Sequence, residues 1–155
     1  MTSVRVALVD LYVVRVVGAT MEFLVLRRAE GGRCPGSWEA VHGHIEPTEL
    51  PVDAAKREML EETGLRPHRL YNLSRVESFY RHRLDEVALV PVFAAIVPSR
   101  AEARTGPEHD RHEWLAPPHA RARFSWPRER RALDDILELL TGGNAGAVED
   151  VLRVC

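Results

Sequence analysis

Three closely spaced carboxylates, Glu58, Glu61 and Glu62, are the residues of this chain whose spacing most readily suggests chemistry. On a helix, Glu61 and Glu62 lie three and four residues after Glu58, so all three crowd one side of two turns. Like charges at that spacing cost about 0.2–0.5 kcal/mol per pair, and only Arg57, four before Glu61, offers local relief. Such a cluster suits a hard divalent cation, because Mg²⁺ takes carboxylate oxygens and bridges to phosphate. A solvated acidic helix face is the competing reading, and spacing alone leaves it open.

The element that must carry these acids is well marked. Pro51 suits a first helical position, where its fixed φ is already helical and its missing N–H is not needed. Gly64 suits a left-handed stop, and Ala54, Ala55, Met59 and Leu60 favour helix between the two. A helix is therefore expected over residues 51–63. Leu50 falls at its N-cap, where Ser or Thr would contribute about 1 kcal/mol, so the helix is expected to be soft without metal.

The wider pattern is Gly43, five residues, Glu49, seven residues, then Arg57-Glu58-Met59-Leu60-Glu61-Glu62-Thr63-Gly64-Leu65. It resembles the Nudix box of the Nudix hydrolases, with every fixed position filled, including the apolar ones at Met59 and Leu65. The resemblance implies an α/β/α sandwich, a mixed β-sheet flanked by helices with the box as a loop–helix–loop against it. It further implies Mg²⁺, with Mn²⁺ a substitute, bound by Glu58 and Glu62, and Glu61 as a further ligand or water-positioning group. Glu49 and Arg57 match the pair that orients box helix and loop, and the carbonyl of His42 matches one that joins the metal shell. The chemistry fits: bridging cations neutralise a pyrophosphate while water attacks phosphorus and a remaining acid accepts the proton.

Outside the box, Glu108 stands in Pro107-Glu108-His109-Asp110-Arg111-His112-Glu113-Trp114-Leu115. Nudix enzymes often supply one more metal-binding acid from such a loop. The string is similar to the EHxxxxWL segment of the subgroup that includes dihydroneopterin triphosphate pyrophosphatase, also described as a dATP pyrophosphohydrolase. Trp38-Glu39-Ala40-Val41-His42-Gly43, with one glycine where two are common, and Trp126 agree with that subgroup. An ordinary loop acid and packing tryptophans are the bland alternatives. Arg27 or Arg28, at the end of a strand near the box, and His44, just past the box glycine, are candidate phosphate contacts.

The implied activity is cleavage of a nucleoside triphosphate or pterin triphosphate to a monophosphate and pyrophosphate. An oxidised-nucleotide hydrolase would keep the same box. A dinucleoside polyphosphate hydrolase usually carries a tyrosine some seventeen residues past it, and Tyr80 lies fifteen past Leu65. A catalytically silent nucleotide-binding sensor is the alternative of another class, but such domains usually lack box acids that are intact here.

Bulk properties bound the rest. With 21 basic and 23 acidic residues the net charge is −2, so no global basic field points to nucleic acid or an anionic membrane. Cys34 and Cys155 lack the spacing of a zinc site and read as reduced thiols. No apolar run approaches the ~20 residues of a membrane span, and the N-terminus lacks the order of a signal peptide. A single domain over residues 1–155 is expected, cytoplasmic, monomeric or homodimeric, with a small-molecule substrate built on a nucleoside diphosphate.

In chain order, strands are expected at residues 4–17, bent or broken, and at 22–28, with a loop at 29–37 and a short strand at 38–41. After the box, strands at 70–80 and 87–97 flank a turn, with Pro91 at a bulge or unpaired position. A polar loop at 99–107 and a short strand at 112–115 follow, ended by Pro117-Pro118. Helical periodicity covers 127–140, Gly142-Gly143 stops it, and the tail from Asn144 is expected to fray.

Overall fold

The computed structural model describes residues 1–155. Its first half contains β1 (Ser3–Val6), β2 (Leu8–Val17), β3 (Thr20–Arg28), β4 (Trp38–Glu39), β5 (Val41–His44) and α1 (Pro51–Thr63). Its second half contains β6 (Arg69–Arg81), β7 (Glu86–Val97), β8 (His109–Leu115), α2 (Pro117–Arg123), α3 (Pro127–Leu139) and a short α4 (Glu149–Leu152). The eight strands form one mixed sheet. β2 lies near its centre, parallel to β7 along one edge and antiparallel to β5 and then β3 along the other. β8 and β6 extend the sheet beyond β3 and β7.

Period-two alternation splits the sheet side chains between two cores. Val9, Leu11, Val13, Leu24 and Leu26 pack with Ala54, Ala55 and Met59 of α1. Tyr12, Val14, Phe23 and Val25 pack against α2 and α3 through Ala120, Phe124, Leu133 and Ile136. Helices thus cover both faces, the α/β/α sandwich that the sequence implies. No helix is long and apolar enough to cross a membrane.

Several expectations meet their physical reasons here. The break at residues 4–17 falls at Ala7, where β1 gives way to β2 along β7. Pro91 lies between the β7 residues paired with β1 and those paired with β2, and on its other edge it pairs with Val76 of β6. Beside it, β6 shifts register between Asn72 and Val76.

Three expectations are corrected. Pro117-Pro118 follow a strand but also open α2, a helix not anticipated, because proline suits a helix's first turn as well as a strand's end. β8 starts at His109, three residues early, since Arg28 on β3 pairs with it. The tail does not fray: Tyr71 pairs with Arg153, and Leu152 is buried.

Candidate active site

The box is held in shape from both ends. Its loop closes as a turn, with Glu49 N–H donating to Glu46 carbonyl at 3.0 Å and Glu46 N–H donating to Glu49 Oε1 at 3.1 Å. Leu50 caps α1 with extended torsions and no side-chain bond, while Gly64 ends it at φ 70° and donates to Leu60 carbonyl at 2.9 Å. Arg57 then ties loop to helix. It forks onto both Glu49 oxygens at 2.8 and 2.9 Å, reaches Glu58 at 2.8 Å and Glu61 at 3.5 Å, and donates to His44 carbonyl at 2.8 Å. This charge-assisted pairing holds Glu49 down at about 2, through the Arg57 bond first and the Glu46 N–H second.

The three helix acids are not equivalent. Glu58 and Glu62 point inward and are buried, whereas Glu61 stands exposed. Burial pushes Glu58 up, with Arg57 opposing and Glu61 and Glu108 adding. Burial pushes Glu62 much further, helped by the charges of Glu39, Glu58 and Glu108. The His42 N–H tempers Glu62 slightly but makes no hydrogen bond of normal geometry with it, and both Glu62 oxygens lack partners. Gly43 faces this pair from β5. A Cβ there would lie 2.1 Å from Glu58 Cδ, so the box glycine is required for space; its φ is not in the left-handed region.

Glu108 arrives from the loop before β8. That loop docks on the end of α1: Arg104 N–H donates to Thr63 carbonyl at 2.8 Å and Gly106 N–H to Glu62 carbonyl at 3.3 Å. Glu62 and Glu108 each place a carboxyl oxygen, and His109 a ring nitrogen, all within 4.8 Å of one another. Glu58, Glu61, Glu62 and Glu108 share a cavity of 320 Å³ with Gly106 and Pro107. Oxygens of three buried or converging acids, two of them unpartnered, are a donor set that fits a hard divalent cation.

A second cavity, of 360 Å³, joins Glu58 and Glu108 to Arg28, Arg33, His42 and His44. Acids on one wall and cations on the other suit a metal-bridged polyphosphate. His44 is lowered, by burial first and then by the positive charges around it. Arg28 is anchored by donating to Arg33 carbonyl at 2.7 Å and to Glu39 at 3.1 Å, and lies 4.0 Å from Glu108. Arg27, the neighbouring strand residue, faces the other side of the sheet and forks onto Asp110 at 2.8 and 3.1 Å; it lines none of these cavities.

Two wider arms open from the centre. One, of 440 Å³, runs past His42 and Glu39 to Phe79, Trp126 and Arg128. The other, of 600 Å³, runs past Arg33 and His44 to Phe79, Tyr80, Arg81 and Arg83. Aromatic walls with nearby cations suit a flat ring attached to phosphate.

Sequence reasoning gave no role to Asp10, Glu39, His109 or Glu129. Asp10 is buried in β2 between His42 Nδ1 at 2.5 Å and Arg128 at 2.9 Å. Burial raises it, but those two partners bring it below its ordinary value. Glu129 accepts the Ala40 N–H at 2.6 Å and the Trp126 N–H at 3.3 Å, tying α3 to the strands before the box. The one available signal was an acid inside an apolar run, as in Val9-Asp10-Leu11, which burial forces to find partners.

The family model described as NUDIX domain matches residues 8–136. The asymmetrical bis(5'-nucleosyl)-tetraphosphatase of Rattus norvegicus is 31% identical over 103 residues, covering 65% of this chain and 68% of that protein. A Myxococcus xanthus protein named octanoyltransferase is 39% identical over 108 residues, 65% of this chain; the match spans only 28% of that relative's length. Among solved structures, the dihydroneopterin triphosphate pyrophosphohydrolase of E. coli superposes with a TM-score of 0.69 at 24% identity, covering 89% of this chain and 99% of that one. At that identity the likeness is one of fold.

Proposed function

The chain belongs to the NUDIX domain family, and from that premise we propose that it is a Mg²⁺-dependent pyrophosphohydrolase, with Mn²⁺ as a substitute. Its substrate in this reading is a nucleoside triphosphate or pterin triphosphate, split into a monophosphate and pyrophosphate. The observation that carries the reading is the acid seat of Glu58, Glu62 and Glu108 opening onto a cavity lined by Arg28, Arg33 and His44. The intact acids favour a working enzyme over a silent nucleotide sensor.

Glu58, Glu62 and Glu108 would hold the cation, which would supply charge neutralisation to the phosphates and a lowered pKa for water. Arg57 fixes Glu58 and joins the box loop to the helix that presents it. Arg28 and Arg33 bind phosphate oxygens, and the aromatic arms hold the organic group. As water oxygen bonds to phosphorus, the bridging P–O bond breaks, pyrophosphate departs, and the water proton passes to a carboxylate. Glu61, the solvent-exposed acid of the box helix that is not among those holding the cation, is left to accept it.

A second reading, a dinucleoside polyphosphate substrate, is favoured by one observation. Two aromatic-walled arms, rather than one, meet at the phosphate cavity through Arg33. The rat relative's name is consistent with it. Product analysis with Mg²⁺ over nucleoside triphosphates, dihydroneopterin triphosphate and dinucleoside polyphosphates separates the two. Pyrophosphate with a monophosphate is expected from the first class, and a mononucleotide with a longer nucleotide from the second. Release of neither product from any compound overturns both readings.

A further inference from the structure

His109 has a nitrogen with nothing to bind. The residue opens β8, is 3% exposed, and places Nε2 2.9 Å from Glu39 Oε1. Nδ1 is buried and has no hydrogen-bond partner. Leaving a buried polar atom without a partner is unfavourable, so such an atom calls for a reason. The surroundings supply one: a carboxyl oxygen of Glu62 and another of Glu108 lie within 4.8 Å of a His109 ring nitrogen, and the Glu62 oxygens are themselves orphans.

The hydrogen-bond pattern sets the tautomer. Glu39 Oε1 already accepts from Arg28 at 3.1 Å, so with Oε1 as acceptor its contact with Nε2 places the proton on that nitrogen. In the neutral imidazole Nδ1 then carries a bare lone pair. With carboxyl oxygens of Glu62 and Glu108 within 4.8 Å of this ring, a bound cation is the partner that such a lone pair lacks. Histidines that ligate metals characteristically donate their other N–H to a carboxylate, as His109 does to Glu39. The parts come from β4 and β8, which flank β3 on its two edges: Leu26 pairs with Glu39 and Arg28 with His109, so register brings acid and imidazole together across β3.

We infer that His109 is a nitrogen ligand of the divalent-cation site, with Glu62 and Glu108 as oxygen ligands and Glu39 as the group that orients the ring. This inference rests on the metal-dependent reading above. Its consequence is a mixed nitrogen–oxygen site. Mg²⁺ favours oxygen donors, whereas imidazole favours later first-row ions such as Co²⁺ and Zn²⁺. The chain then discriminates among cations through one residue that lies outside its acid motif.

The test uses the intact protein loaded with Mn²⁺ and electron spin-echo spectroscopy. The wild type is expected to show ¹⁴N modulation that changes when histidine is ¹⁵N-labelled. His109→Gln, which keeps a donor for Glu39 but lacks Nδ1, is expected to lose that modulation. By calorimetry it should lose at least about tenfold in Co²⁺ affinity, the scale on which such ligand shells act, and under threefold in Mg²⁺ affinity. His44→Gln should keep the modulation. If Mn²⁺ binds the wild type without histidine modulation, or if His109→Gln retains it, the inference is overturned while the hydrolase reading stands. If no divalent ion binds and no substrate is cleaved, both fall. Should His109→Gln not fold, the labelled wild type and His44→Gln decide.

Discussion

Gly43 and Glu58 share one small volume: a β-carbon on Gly43 would lie 2.1 Å from Glu58 Cδ and 2.3 Å from Oε1. The glycine on β5 is therefore what allows the helix acid to turn inward. Gly43→Ala must displace the Glu58 carboxylate, and misplacement of about 1 Å costs on the order of a hundredfold in rate. The fold should survive, since only a side chain has to move. Steady-state kinetics beside circular dichroism checks this; a folded Gly43→Ala protein with wild-type kcat would show that Glu58 need not occupy that position.

Arg28 and Arg27 are neighbours in sequence and opposed in space. Arg28 lines the cavity proposed to take phosphate, whereas Arg27 is paired with Asp110. A charged hydrogen bond to phosphate is worth about 1.5–3 kcal/mol. Arg28→Lys, which keeps the charge but loses the fork, should raise KM roughly tenfold or more. Arg27→Lys should change it less than threefold. Equal effects of the two substitutions would contradict the facing of β3.

The Glu49–Arg57 fork gives a signed pH dependence. The folded value of Glu49, about 2, is below its ordinary 4.5. Stability from the pair is thus fully present above the ordinary value and is lost as pH falls toward about 2. The Tm difference between wild type and Glu49→Gln should be largest near neutral pH and close across that window. A difference that stays constant from pH 7 to 2 would exclude the fork as its source.

Leu50 leaves the N-terminus of α1 without a side-chain cap. Leu50→Ser should stabilise the protein by about 1 kcal/mol, raising Tm by roughly 2–4 °C in a chain of this size. A scanning thermal melt without metal suffices, and an unchanged or lower Tm counts against an uncapped helix start.

What the sequence could disclose followed from how local each signal was. Helix α1 was legible because Pro51 and Gly64 punctuate it and its acids repeat at helical spacing. Glu108 was legible as part of a short string. Glu39, His109 and Asp10 were not, because each owes its meaning to a partner 32 to 118 residues away, as His42 and Arg128 are from Asp10. Strand register, which no local pattern discloses, brings them together. The choice between Arg27 and Arg28 depended likewise on which sheet face α1 covers. Helix α2 was missed because two prolines stop a strand and start a helix with the same residues.

The central claim is that Glu58 helps to seat a cation needed for pyrophosphate-bond cleavage. It is tested most directly by measuring phosphate and pyrophosphate release as a function of Mg²⁺, for wild type and Glu58→Gln, on the substrate the product screen identifies. Removing a group that holds the cation should forfeit several kcal/mol of transition-state stabilisation. Wild type should therefore show saturable Mg²⁺-dependent release, and Glu58→Gln a rate lower by about a thousandfold at every Mg²⁺ concentration. Equal release by the two proteins, or release by wild type that is indifferent to Mg²⁺ and to chelator, would contradict the account.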